Sequence, residues 1–299
     1  MYHSHLLINV GDNPDRPDWN ICRRWLRNLY RVHQRLCMAF PSSKPPQHER
    51  ETAYCRPFSS SGFPALCELP VQIPDDDRPQ MRAAKSGFLF RIDYPVDSIQ
   101  GGRRPVIIVQ SEGPEPPDWD YAFGLDKGAV DDRGRPIGNA DFLLAGPPQL
   151  KEVFINLDGD SLVLNCDNRP RHNHRLRPGD LVRFRLMANP TRKTQDGSSN
   201  GKRKRVEPTL KAHADWLSRK LREAAGSPIC IETFVPGWAH GWRTKYEPQP
   251  GQRMQWWSVL FEGIFRLQDP SVLKQLLECG VGSAKAFGFG LLSVAPVQR

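Results

Sequence analysis

The chain has 299 residues, enough for one large domain or two of ordinary size, and its 42 Lys and Arg against 33 Asp and Glu leave a formal net charge of +9. That excess favours a phosphate-rich partner, while seven cysteines, odd in number and never spaced as Cys-x-x-Cys, argue against a disulfide framework. No apolar run approaches the roughly 18 residues of a membrane span and the first residues lack a signal-peptide pattern, so we expect a cytoplasmic protein with no membrane partner.

The first half of the chain begins with a short apolar strand at residues 6–8, followed by turn-forming residues. Helical spacing of apolar residues predicts a helix over residues 19–40, which Pro41 would end. Two further apolar runs, residues 88–92 and 106–109, predict strands.

The second half repeats this order. Strand-like runs precede a predicted helix at about residues 209–225, two more strands follow it, and a last helix leads through a glycine-rich segment into a final strand. The predicted strands of this half cover residues 153–155, 162–164, 181–186, 229–234, 254–267 and 291–295.

Each half therefore has the order strand, helix, strands, helix, strand, which is the order of a ferredoxin-like unit. The sequence predicts an α+β fold with two tandem ferredoxin-like (RRM-like) domains, residues 1–145 and 146–299. Residues 42–79 and 112–148, rich in proline and other loop-forming residues, would be insertions at the surface.

The glycine-rich segment, residues 280–290, contains four glycines and Lys285. It follows a helix and precedes a strand, whereas a dinucleotide-binding fingerprint needs strand, loop and helix in that order. The segment favours a tightly bent platform that brings one cation to a polyanion, and a glycine-rich connection needed only for packing is the alternative. The four glycines are Gly280, Gly282, Gly288 and Gly290.

The predicted first helix has an apolar face and a basic face. At 100° per residue, Trp25, Leu29, Val32 and Leu36 form the core stripe, and Tyr30 and His33 lie at its boundary. A histidine there can transfer a proton to or from a bound anion, although a boundary histidine is more often a packing residue. Arginines recur every four residues on the opposite side, at Arg23, Arg27, Arg31 and Arg35.

A second basic element follows residue 181. Arg183 and Arg185 lie on one face of a predicted strand, with Phe184 on the other. Beyond the strand comes a charged excursion of phosphate-contacting residue types, which could order against a duplex or could be a solubilising loop. Its candidate RNA-contacting residues are Asn189, Arg192, Lys193, Lys202, Arg203, Lys204 and Arg205.

Two other features are weaker. Trp256 and Trp257 are candidates for base stacking, but their position in a predicted strand favours a core role for at least one of them. Cys166, His172 and His174 match no common zinc spacing, so we expect no metal and no cofactor.

In chain order, these segments resemble the CRISPR RNA-processing endoribonucleases of type I-E systems, the CasE family. The resemblance covers nearly the whole chain, and it departs from the family at Met187, where family members carry an arginine. The segments that carry it are residues 29–34 (Leu-Tyr-Arg-Val-His-Gln), 40–41, 88–90, 109–111, 183–190 (Arg-Phe-Arg-Leu-Met-Ala-Asn-Pro), 261–263 and 280–296.

The resemblance implies two ferredoxin-like domains that bind the repeat hairpin of precursor CRISPR RNA. It also implies one metal-independent cut at the 3′ base of the hairpin, with His33 as the catalytic histidine and Tyr30 as its partner. The mature crRNA would stay bound, and the protein would join the other subunits of the Cascade complex.

Two other classes stay open. The chain could be a non-catalytic RNA-hairpin-binding subunit of the same fold, or a DNA-binding module. Cleavage of a repeat hairpin in EDTA separates the enzyme from the first class, and a preference for duplex DNA would indicate the second.

Overall fold

The structure, a computed structural model, describes residues 1–11, 25–37, 39–40, 88–94, 104–112, 116–123, 143–166, 174–193, 203–221, 224–225, 230–242 and 253–297. The chain divides into two compact units. The N-terminal unit comprises residues 2–151 and 240–255, and the C-terminal unit comprises Met1 with residues 152–239 and 256–299. The proposed domain boundary at residue 145 stays a prediction, and the predicted insertion 42–79 lies outside the described residues.

The described part of the N-terminal unit is an antiparallel sheet with two helices. The strands lie in the order β2-β3-β1, and beyond β1 the bridge between Ile8 and Leu144 adds a further pairing. This is the order of strands expected for a ferredoxin-like unit. Its elements are β1 (Tyr2–Leu7), α1 (Leu29–Cys37), β2 (Phe88–Asp93), β3 (Val106–Ser111) and α2 (Trp119–Phe123).

Two sequence predictions for this unit were wrong. The predicted first helix is interrupted at Arg27 and Asn28, and α1 begins only at Leu29, immediately after Asn28, a position where asparagine is favoured. The predicted loop 112–148 contains α2, a five-residue helix that loop-forming neighbours obscure. Trp119 is only 4% exposed, and its Nε1 donates to Ser4 Oγ at 2.9 Å, so α2 packs on the same face of β1 as α1 does.

The C-terminal unit contains an antiparallel meander and a four-stranded antiparallel sheet in the order β10-β11-β7-β12. With one helix after β7 and one after β11, this is the strand order of a complete ferredoxin-like unit. Its elements are β4 (Gln149–Asp158), β5 (Ser161–Cys166), β6 (His174–Leu176), β7 (Leu181–Ala188), β8 (Thr191–Lys193), β9 (Arg203–Arg205), α3 (Leu210–Leu221), β10 (Cys230–Trp242), β11 (Arg253–Arg266), α4 (Pro270–Cys279) and β12 (Leu292–Pro296).

Helices α3 and α4 cover one face of the four-stranded sheet. Their apolar stripes, which include Trp216, Leu217 and Leu273, pack in one core with Phe184 and Phe261 of the sheet. Helix α4 begins sharply because the carboxylate of Asp269 accepts the amide hydrogens of Ser271 and Val272 and because Pro270 suits the first helical position. The opposite face of β7 is the one that α3 and α4 do not cover.

Across the described residues, no helix is long and apolar enough to pass through a lipid bilayer.

Candidate functional site

His33 lies in the middle of α1 and faces the sheet. Its ring is 4% exposed and stacks on Phe88 with ring centroids 5.5 Å apart and an interplanar angle of 28°. One helical turn later, Cys37 places its Sγ 3.5 Å from Nε2 and 4.0 Å from Nδ1 of the same ring. The ring is therefore held inside the unit by two neighbours. The side chain of Tyr30, its predicted partner, lies outside the described residues.

The arginines of the first helix do not form one continuous stripe. Arg27 is exposed in the interruption before α1, so it does not continue the face of the helix. Arg35 turns inward, and its Nη1 donates to the carbonyl of Ala122 in α2 at 3.0 Å. Burial lowers the pKa of Arg35 below its usual value. A repeat of four advances about 40° per step, which carries the last arginine of the series toward the core. Arg23 and the side chain of Arg31 lie outside the described residues.

Strand β7 presents two arginines on the face opposite to α3 and α4, as the sequence predicted. Arg183 is exposed, Phe184 between the two is buried, and Arg185 is half-buried. The Nε of Arg185 lies 3.4 Å from a carboxylate oxygen of Glu262, its register partner on β11. Met187 is half-buried on the same face, so a thioether stands there in place of a third cation.

The charged excursion is anchored by a short antiparallel hairpin, the basic hairpin, formed by β8 and β9. In the backbone register, Arg192 pairs with Lys204 and Lys193 with Arg203, so basic residues are partners along the ladder. Arg192 and Arg205 are exposed. The side chains of Lys193, Arg203 and Lys204 lie outside the described residues. Lys202 lies outside the described residues.

The glycine-rich segment is shaped by its own packing. Gly290 has φ of 91°, and a Cβ built on it would lie 2.7 Å from the carbonyl oxygen of Val281. A Cβ on Gly282, which has φ of 87°, would lie 3.1 Å from the ring of Trp216. Close approach of backbone and ring therefore demands glycine at both positions. Gly280 and Gly288 also have positive φ.

Lys285, which lies in the glycine-rich segment, caps the C-terminal end of α4. Its Nζ donates to the carbonyl of Cys279, the last residue of α4, where a cation interacts favourably with the helix dipole. Burial lowers the pKa of Lys285 from 10.5 to about 8, with the neighbouring Cys279 opposing the shift and Lys220 adding to it. The lysine that was predicted to meet a phosphate is thus turned toward the protein.

Replacing Lys285 with Met is expected to remove a pH dependence of stability. The folded-state pKa is about 8 against 10.5 in the unfolded chain, so between these values the unfolded chain binds the extra proton. The free energy of unfolding of the wild type should therefore rise with pH over this interval relative to that of Lys285→Met. Urea unfolding of both proteins at several pH values measures the difference, and parallel curves would contradict the prediction.

Asn189 is buried, although the sequence placed it among the RNA contacts. It is 7% exposed, and its Oδ1 accepts the amide hydrogen of Trp257 at 3.3 Å. Its Nδ2 donates to Ser283 Oγ in the glycine-rich segment at 3.4 Å. Asn189 therefore joins the end of β7 to β11 and to the glycine-rich segment.

The two tryptophans of β11 are largely inside. Trp256 is 9% exposed and packs on Phe287, with ring centroids 4.5 Å apart, while Trp257 packs against the helix-covered core. The expectation that at least one of them belongs to the core is confirmed. His174 is exposed, and the described residues contain no group of three or more His, Cys, Asp or Glu arranged to hold a metal ion.

A polar cluster on the N-terminal sheet escaped the sequence analysis. His3 Nε2 lies 3.1 Å from Gln110 Oε1, and Arg91, 2% exposed, is paired twice with Asp93 at 2.6 and 2.9 Å. Burial lowers the pKa of His3 to about 4 and also lowers the pKa of His5. His3 is therefore neutral near pH 7. His3 and His5 are two residues apart in β1, so they point to the same face of the sheet. This spacing was the signal in the sequence that could have revealed the polar cluster.

Comparison with known proteins gives the family. A family model described as CRISPR associated protein matches residues 64–296, more than half of the chain. The chain belongs to this family. The match begins after α1, so it does not reach His33 or Tyr30, whose roles stay predictions.

Two relatives of this CRISPR-associated protein carry the names Cse3 and CasE, which confirms the resemblance to the CasE family. One is the CRISPR-associated endoribonuclease Cse3 of Thermus thermophilus, 35% identical over 127 residues, which are 40% of this chain and 58% of the relative. The other is the Cascade subunit CasE of Escherichia coli, 36% identical over 130 residues, which are 41% of this chain and 61% of the relative. The chain thus spans about three fifths of the length of these relatives.

A solved structure gives the fold of the CRISPR-associated protein. Thermus thermophilus Cse3 bound to an RNA representing a pre-cleavage complex superimposes with a TM-score of 0.50 at 23% identity, covering 99% of this chain and 98% of that one. At this identity the likeness speaks for the fold alone. Together with the two strand orders, it confirms the predicted α+β fold.

Proposed function

We propose that this protein is an endoribonuclease that binds the repeat hairpin of precursor CRISPR RNA and cuts it at the 3′ base. The observation that carries the proposal is the basic hairpin, whose register partners are basic residues, in a chain 35% identical over 127 residues to an endoribonuclease of the family. The phosphates of a polynucleotide backbone are the groups that such a concentration of basic residues binds most readily.

The proposed reaction is a transesterification within the RNA that needs no metal. The ribose 2′-hydroxyl attacks the adjacent phosphorus, the bond to the 5′-oxygen of the next nucleotide breaks, and the products are a 2′,3′-cyclic phosphate and a 5′-hydroxyl. His33 transfers a proton, either from the nucleophile or to the leaving oxygen, and Tyr30 orients it. Because the ring of His33 is 4% exposed, it has to turn away from Phe88 and Cys37 before it can meet the phosphate.

The residues that the sequence assigned to RNA binding fall into two groups in this proposal. Lys285 and Asn189, bonded within the protein, support the site instead of touching the RNA. The remaining cations contact phosphates and stabilise the negative charge that develops at the scissile one. These are Arg23, Arg27, Arg31, Arg183, Arg185, Arg192, Lys193, Lys202, Arg203, Lys204 and Arg205.

We further propose that the mature crRNA stays bound after the cut and that the protein joins the other Cascade subunits. The description of the Escherichia coli relative as a Cascade subunit supports this assignment. Sequencing the RNA that co-purifies with the protein tests it. Repeat-derived fragments with one common 3′ end are expected, and random cellular RNA would count against retention.

Incubation of the protein with a repeat hairpin in EDTA tests the enzymatic function. One defined cut is expected, and a 2′-deoxy substitution at the cut position should abolish it because the nucleophile is gone. Failure to cut together with tight hairpin binding would favour the second candidate, a non-catalytic RNA-hairpin-binding subunit. The burial of His33 is the observation that favours this second candidate.

Reversing the charges of residues 202–205 is expected to weaken hairpin binding and to reduce its salt dependence. Each lost phosphate contact should reduce the slope of log affinity against log salt by about 0.7 to 0.9. Binding titrations of the Lys202→Glu, Arg203→Glu, Lys204→Glu and Arg205→Glu protein at several salt concentrations measure both effects. Lys211→Glu with Arg219→Glu, two exposed positions on α3, is the control. An unchanged slope would remove the excursion from the RNA footprint.

A further inference from the structure

The hydroxyl of Ser283 connects the glycine-rich segment to the chain that enters the basic hairpin. It donates to the carbonyl of Asn189 at 3.1 Å, lies 3.4 Å from Asn189 Nδ2, and lies 3.1 Å from Thr191 Oγ1. A serine hydroxyl has one hydrogen to donate and two lone pairs to accept with. Since its hydrogen goes to the carbonyl of Asn189, Thr191 is the donor in the third bond. All the hydrogen-bonding capacity of Ser283 is therefore spent on residues 189–191.

Thr191 is held from a second direction. The indole Nε1 of Trp216 donates to the carbonyl of Thr191 at 3.1 Å. The same indole ring lies close to Gly282, the residue next to Ser283, because a Cβ built on Gly282 would be 3.1 Å from it. Trp216 is 2% exposed and belongs to the C-terminal core. Thr191 is thus bonded by its side chain to the glycine-rich segment and by its backbone carbonyl to a residue of the C-terminal core.

The basic hairpin depends on this attachment at its base. Strands β8 and β9 have three residues each, and Thr191 forms the first pair of their ladder with Arg205. A two-stranded hairpin is marginally stable by itself in water, so this one needs support from outside its own ladder. Its direction relative to the sheet is set by whatever fixes Thr191.

We propose that Ser283 is a positioning residue for RNA binding, which holds the basic hairpin through Thr191 so that its cations meet the phosphates of an RNA hairpin. Ser283 does not touch the RNA. This inference rests on the proposed function, because it requires that the basic hairpin binds RNA phosphates. In this inference, the glycine-rich segment holds the basic hairpin in position.

The test is a binding titration of repeat-hairpin RNA against salt for Ser283→Ala and, independently, for Thr191→Val. Both variants are expected to bind about tenfold more weakly at 0.15 M salt, with a slope smaller by about one phosphate contact. The double variant should be no worse than either single one, since both remove the same connection. Ser218→Ala, an exposed serine of α3, is the matched control and should bind as the wild type does.

A purely structural role is separated by repeating Ser283→Ala in a protein whose residues 202–205 are all alanine. If Ser283 acts by positioning the hairpin cations, the substitution has little further effect there, whereas a general loss of structure lowers the affinity in both backgrounds. Wild-type affinity and slope in both Ser283→Ala and Thr191→Val would overturn the inference, and so would an equal loss in the two backgrounds. A wild type that binds no repeat hairpin would overturn the proposed function itself, which separates the two failures.

Discussion

Removing the imidazole of His33 is expected to reduce the rate of cleavage of a repeat hairpin by about 10² to 10⁴-fold, the usual contribution of a positioned proton-transfer group. The affinity for the uncleaved hairpin should change little, because the phosphate contacts assigned to the arginines and lysines stay in place. Single-turnover cleavage and equilibrium binding of the same RNA measure the two quantities separately.

The burial of His33 decides how this experiment is designed. The ring fills space between Phe88 and Cys37, so His33→Ala leaves a cavity and can lower stability by itself. His33→Gln keeps most of the volume and a hydrogen-bonding group but cannot transfer a proton in the same way. Loss of cleavage in both variants, at unchanged thermal stability of His33→Gln, would support catalysis. His174→Ala removes an exposed histidine as a control.

Normal cleavage by His33→Gln would assign the ring to packing, the reading that its exposure of 4% favours. The proposal requires instead that the bound RNA draws the ring out of its contacts with Phe88 and Cys37. Such a change is driven only by as much free energy as the RNA gains by binding the turned-out form over the buried one.

Local periodicity was sufficient for the longer strands of both units, but it missed the three-residue strands β6, β8 and β9. The alternation in β7 correctly separated Arg183 and Arg185 from the buried Phe184, because successive side chains of a strand point to opposite faces. The strand and helix order of the C-terminal half correctly predicted a sheet with the ferredoxin-like arrangement. Both features depend on neighbours within a few residues in the sequence.

The roles of individual polar residues could not be read in the same way, because they depend on contacts between distant parts of the chain. Asn189 was assigned to RNA from its neighbours in the sequence, yet its side chain bonds to Ser283, 94 residues away. Arg35 was assigned to an exposed face, yet it bonds to Ala122, 87 residues away. Lys285 was assigned to phosphate because the sequence does not fix the last residue of α4 exactly. It therefore did not show that the unbonded carbonyl of Cys279 lies within reach of Lys285.

The glycine-rich segment was recognised from its composition, but composition does not reveal which glycines are required. Backbone bonds tie its end to the core, since Val281 donates to the carbonyl of Gly290 at 2.8 Å and Gly290 donates to the carbonyl of Met187 on β7 at 2.8 Å. The backbone at Gly290 therefore passes close to the backbone of Val281 and to that of β7. The cost of a side chain there has two parts, the positive φ and the collision with Val281.

Gly290→Ala is expected to destabilise the protein far more than Gly179→Ala, which separates these two parts. Gly179 has φ of 93°, almost the same as the 91° of Gly290, but a Cβ on Gly179 would meet nothing within 4 Å. Gly179→Ala should therefore lower the free energy of unfolding only by the conformational cost, about 1–2 kcal/mol. Gly290→Ala adds a Cβ at 2.7 Å from the carbonyl oxygen of Val281, a residue that is already bonded through its amide to the carbonyl of Gly290.

We expect the total loss at Gly290 to exceed about 3 kcal/mol, one of the large single-substitution effects that strain and overpacking produce. Urea unfolding of the two variants and the wild type measures the difference, with Gly146→Ala, whose Cβ would also meet nothing within 4 Å, as a baseline. Equal losses at Gly290 and Gly179 would mean that the backbone around Val281 yields easily. In that case the glycine-rich segment would be too flexible to hold the basic hairpin in position, because a backbone that moves aside for a methyl group cannot fix the place of Ser283.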